Sequence, residues 1–156
     1  MKKLYTGAIG AFAICLVFTA QADTMNVEGT IYWVQISQGQ AVEMPNGTKG
    51  RTLMRNHGTV VRANGDVSSQ WCTGHQGVLA SGQAGGAGYC TSISDNGDMI
   101  YYSYMLGEEG EPVTWTVMGG SGAFEGATGS GTSTTTSRRG DGQAWTSQSK
   151  GSITTM

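Results

Sequence analysis

Charge is scarce in this chain: only 13% of its 156 residues are charged, nine basic and eleven acidic. Beyond Lys2-Lys3 the only adjacent basic pair is Arg138-Arg139, and no basic stripe runs along any segment. Nucleic acid is therefore excluded as a partner read through a cationic face. Histidine is scarcer still. His57 and His75 have no His-x-His or His/Glu spacing to supply further ligands, so no metal is expected. Large aliphatic residues are few, and helical periodicity is nearly missing after the first 22 residues. The three cysteines contain no C-x-x-C pair, which removes the usual redox and zinc motifs.

What is present begins with an export signal. Lys2-Lys3 is a basic start, Ala8 to Phe18 a short apolar run, and Ala20-Gln21-Ala22 a small-x-small cleavage site. Residues 1–22 thus read as a signal peptide cut after Ala22, leaving residues 23–156 as one domain. The apolar run is too short to cross a core about 30 Å thick comfortably, so no membrane insertion is expected after cleavage. A periplasmic or secreted location follows. In that oxidising setting Cys72 and Cys90 are expected to form a disulfide, worth about 3 kcal/mol by the chain-entropy model.

Two-residue alternation dominates the rest. Strands are expected over 24–35, 40–44, 51–63, 67–74, 89–94, 99–106, 113–118, 131–138 and 144–154. Pro45-Asn46-Gly47, Asn64-Gly65, Asp95-Asn96-Gly97-Asp98 and Gly140-Asp141-Gly142 supply turns. The glycine-rich stretch from Ala80 to Gly88 reads as a loop. Eight or nine strands with short connections predict an all-β domain, a single antiparallel eight-stranded β-barrel, because closure removes exposed edges. A barrel of that size is filled by side chains or holds one small ligand.

A second glycine-rich stretch runs from Gly119 to Thr132 and carries Gly119, Gly120, Gly122, Gly126, Gly129 and Gly131 around Phe124. Such residues suit a tight corner between strands, where backbones approach closely or φ is positive. A phosphate-binding loop is excluded: no Lys-Ser/Thr follows, and the next segment is a strand, not a helix. The Trp-containing strand, the run Gly-Gly-Ser-Gly-Ala-Phe-Glu-Gly-Ala-Thr-Gly-Ser-Gly-Thr, Asp141-Gly142 and a closing strand with Gly151 together resemble the allene oxide cyclase/dirigent barrels. The resemblance covers about residues 112–154. It implies an eight-stranded calycin-like barrel, and it embraces cyclases, coupling-guide proteins and secreted bacterial members.

Trp33, Trp71, Tyr102 and Trp115 are the expected ligand-binding residues, since aromatics spread over several strands can wall a pocket for a flat hydrophobic molecule. They would also pack the core. Catalysis, if present, is expected to need no cofactor: a cavity would fold a reactive substrate into a productive shape as cyclase or isomerase. Candidate polarising groups are His57, the readiest base near neutral pH, Tyr104, and Glu28, which the resemblance suggests by position. The alternative is a non-catalytic envelope or extracellular protein acting through its Ser/Thr-rich surface, as a homo-oligomer or against a partner.

Overall fold

A computed structural model describes residues 22–43, 47–78, 82–108 and 110–156. All but the last residue of the expected signal peptide, and most of the Pro45-Asn46-Gly47 turn, lie outside the described residues. Among the described residues, nine antiparallel strands form one sheet: β1 (Asp23–Ser37), β2 (Gln40–Glu43), β3 (Lys49–Arg62), β4 (Val67–Val78), β5 (Ala84–Ser94), β6 (Met99–Leu106), β7 (Val113–Ser121), β8 (Thr128–Arg138) and β9 (Ala144–Thr155). Each pairs with its neighbour in sequence from β2 through β9, except that β1 pairs with β9 on one side and β3 on the other. That closes the sheet.

Only eight staves result. β1 occupies the Arg55–Arg62 part of β3, and β2 continues along the same edge against Lys49–Thr52. The join is a kink. Gly39 takes φ 68°, and a Cβ there would overlap the Thr52 carbonyl. Facing it, Leu53 takes φ 55° inside a register shift between Arg51 and Met54. Following the register from Gln35 through Asn56, Cys72, Cys90, Tyr102, Val117, Gly129 and Ile153 returns to β1 at Met25, ten residues from the start. This stagger tilts the strands and sets the barrel width.

Alternation sorts each strand into two faces. Ile31, Met54, Val60, Cys72, Cys90, Ile100, Val117 and Ile153 are buried inside, while Tyr32, Val34, Trp71, Tyr89 and Met105 are exposed outside. Ile100, Val117, Ala127 and Ile153 pack together with Val27, Phe124, Tyr102 and Trp115 against them. They fill the end of the barrel bounded by the Asn64-Gly65 and Asp95–Asp98 turns and the 3-10 turn Gly122–Phe124. That end is plugged.

The expected corner is present. Gly119, Gly122, Gly126 and Gly129 all have positive φ. At Gly120 a Cβ would sit 2.6 Å from that of Phe124, and at Gly131 it would enter the Trp115 ring. The stretch before Tyr89 differs from expectation. Gly85-Gly86-Ala87-Gly88 is strand, part of β5, and β4 runs on to Val78 to pair with it. Glycine suits these positions because a Cβ at Gly86 or Gly88 would strike the carbonyls of His75 or Thr73. Backbone proximity across the sheet, not looseness, selects the glycines.

Candidate functional site

Inside the barrel, aromatic rings lie on glycines. A Cβ at either Gly131 or Gly151, directly paired on β8 and β9, would overlap the ring of Trp115. Gly58 lies under Trp33, where a Cβ would come within 2.8 Å of Cε3. Gly74 and Gly88 make room for the Tyr104 phenol. Removing side chains from one stave lets the ring of another lie flat on the wall and leaves the middle of the barrel open.

The open space is a cavity of about 400 Å³, within the range of small-molecule sites. Its lining includes Gln38, Arg51, Leu106, Val113, Arg138 and Asp141, which belong to the end opposite the plug. The protein is therefore a cup, closed by the Ile100–Ile153 cluster and open beside the β4–β5, β6–β7 and β8–β9 connections. One wall carries Tyr102 edge-on to Trp115, ring centroids 5.6 Å apart at 79°. Trp115 Nε1 donates to Ser149 Oγ at 3.2 Å, which fixes the indole. Toward the mouth Trp33 stacks on Trp145 at 5.8 Å, and the Arg138 guanidinium lies 5.4 Å from the centre of the Trp145 ring.

Polar groups interrupt this surface. Cys72 and Cys90 are joined by a disulfide between paired residues of β4 and β5, Cα atoms 4.0 Å apart, and both line the cavity. Ser92 in the lining exchanges a 3.2 Å hydrogen bond with Ser68. Asn56 is buried, and its Oδ1 has no hydrogen-bond partner among the described residues. Burial pushes the Tyr102 phenol up to about 12, with the charge of Arg62 pulling the other way. Burial also raises Tyr104. Both phenols are neutral near pH 7, so they can donate a hydrogen bond to a ligand but cannot serve as ready bases.

Of the expected ligand-binding residues, Trp33, Tyr102 and Trp115 come together in the cavity, and Tyr104 joins them. Trp71 does not. It is 48% exposed on the outer wall, its ring 4.2 Å from that of His57 on the neighbouring strand. His57 is thus also outside, away from any bound molecule. Glu28 borders the cavity, but its side chain belongs to the exposed set alternating with Val27 and Gly29. Trp145, one of the four tryptophans spread over the strands, lines the cavity as well, and Arg62, Asn56 and Gln70 line it without having been expected there. The signal for β4 was Cys72: once it points inward to its disulfide, Gln70 must point inward beside it and Trp71 must point out. Among the described residues, no group of three or more His, Cys, Asp or Glu side chains is placed to hold a metal.

No family model matches this chain, and no curated protein matches it in sequence. Solved structures do match in shape. The pterocarpan synthase dirigent protein GePTS1 superimposes with a TM-score of 0.60 at 12% identity, over 94% of this chain and 99% of that one. The pterocarpan synthase dirigent protein PsPTS1 gives 0.56 at 10% identity, over 85% and 96%. At such identity the likeness is one of fold: the chain has the eight-stranded antiparallel barrel of the dirigent proteins.

Proposed function

We propose that this protein is an exported barrel that binds one small, flat, largely apolar molecule in its open end. The observation that carries the reading is the set of three glycine-backed rings, Trp33, Tyr104 and Trp115, lying on the walls of a cavity of about 400 Å³. A barrel evolved only for stability would gain more by filling that volume, since buried apolar area contributes about 25 cal/mol per Å². The disulfide supports an oxidising compartment. Export predicts that mature protein begins at Asp23, which N-terminal sequencing of secreted material checks.

Catalysis would be an extension of binding. The two barrels of like fold are synthases by name, and a cup with neutral Tyr102 and Tyr104 has what a cofactor-free cyclase or isomerase requires: a shaped wall and hydrogen-bond donors. Titration with the uncharged dye N-phenyl-1-naphthylamine tests the binding reading. Saturable emission with quenching of tryptophan is expected; a flat titration would sink it.

A second reading rests on the outer wall. Val34, His57, Trp71, Thr91 and Tyr101 form one register row across β1, β3, β4, β5 and β6, with Trp71 48% and Tyr101 38% exposed. An exposed aromatic band of this kind suits contact with a second protein surface. Light scattering on the mature protein, compared with a Trp71→Ser variant, distinguishes a monomer from an assembly built on that band.

A further inference from the structure

Arg62 is the unexplained group of the cavity. It is half-buried on the inward face of β3, in line with Met54, Asn56 and Val60, and it lines the cavity. Its backbone N–H bonds to the Asp66 carbonyl at 2.9 Å, but its guanidinium makes no ion pair or hydrogen bond among the described residues. Five donors and a full charge are thus held partly out of water with no protein acceptor among the described residues, an arrangement that an arriving anion would relieve. The acids nearest the cavity do not fill that role. Glu28 is exposed on the outer-facing set, and Asp141 is tied to Arg139 at 2.6 Å. At the mouth, Arg51 and Arg138 add two further cavity-lining cations without carboxylate partners among the described residues. The chain as a whole carries a net charge of −2, so cations gathered around its cavity run against its overall balance.

We propose that the molecule bound in the cup is an aromatic acid, its ring body against Trp115 and Tyr102 and its carboxylate held by Arg62. The inference rests on the binding reading above and adds the charge of the ligand. Guanidinium is suited to the task, because its planar fork meets both carboxylate oxygens. Arg51 and Arg138 would draw the anion toward the mouth before it reaches Arg62.

The test uses a matched pair in the mature, disulfide-bonded protein. N-phenyl-1-naphthylamine is the uncharged reporter, and 2-naphthoate and 2-naphthamide are titrated in to displace it at low salt. The acid is expected to displace the dye at a concentration at least about tenfold lower than the amide, the step of one charge-assisted contact. Arg62→Gln should bring the acid to the level of the amide with the dye still bound, whereas Arg55→Gln, on the outer wall, should leave the preference intact. Equal displacement by acid and amide would overturn the charge assignment and leave the binding reading standing. Loss of dye binding from the unaltered protein would remove both. A preference surviving in Arg62→Gln would take the anion away from Arg62. Should that variant fail to fold, the acid–amide comparison and its weakening by salt in the unaltered protein still decide the ligand's charge.

Discussion

Trp115 shows how a single side chain serves both stability and binding. Its ring rests on the Gly131–Gly151 pair, bonds to Ser149 and meets Tyr102 edge-on. Trp115→Ala should cost about 3–5 kcal/mol, the usual range for truncating a packed indole, and should also weaken dye binding in whatever fraction remains folded. Thermal melting and dye titration on the same samples check both. A loss of stability with unchanged affinity per folded molecule would make Trp115 packing alone. Tyr102 offers a pH-dependent test. Its folded pKa of about 12 exceeds the ordinary 10.0, so between these values the unfolded chain has lost the proton that the folded chain keeps. The contribution is complete below pH 10 and fades as pH rises toward 12, by roughly 2–3 kcal/mol across the window. Tyr102→Phe should flatten that fall in urea melts; an unaltered fall would assign it to Tyr104 or other groups. The aromatic walls were legible in the sequence because strand alternation placed Trp33 and Trp115 among apolar neighbours. Trp71 was misleading for the same reason, since a large ring in a strand suggests the interior, yet its neighbours Gln70 and Cys72 hold the inner face of β4.

At the scale of the strand, the disulfide clamps a hairpin. Cys72 and Cys90 face each other across β4 and β5, whose inner positions next to them are Gly74 and Gly88 and make no side-chain packing of their own. The bridge thus holds the part of the wall where Tyr104 must lie flat. Replacing both cysteines with Ala should lower stability by about 3 kcal/mol and broaden hydrogen exchange across β4 and β5 first. Exchange that rises uniformly over all strands would mean the bridge acts only on the unfolded chain. Strand positions were largely readable, down to Met99–Leu106, because turn residues such as Asn64-Gly65 mark their ends. The limits of β4 and β5 were not. Glycines in a row carry no periodicity, and their fit to carbonyls and to the Tyr104 ring comes from strands far along the chain.

The direction of the cup is a property of the whole molecule. A closed barrel could be read from strand count and turn chemistry, but which end is plugged depends on the stagger and on how Phe124 and Ala127 fold back over Ile100 and Ile153. Neither is local in the sequence. The continuation of β1 into β2 was hidden too, because Gly39 and Leu53 create the kink only when set side by side. The two ends should therefore respond differently to mutation. Ile100 is 1% exposed in the plug and outside the cavity lining, and its change to Ala should cost about 2–5 kcal/mol, while dye affinity of the folded protein stays near that of the parent. Leu106 lines the cavity at its mouth, where β6 ends. Leu106→Trp should leave melting within about 1 kcal/mol of the parent, as changes at partly open sites do, and reduce dye affinity by obstructing entry. Titration and melting of the two variants in parallel give the contrast. If Leu106→Trp binds as the parent does while Ile100→Ala abolishes binding, the molecule enters from the other end, and the cup must be turned over.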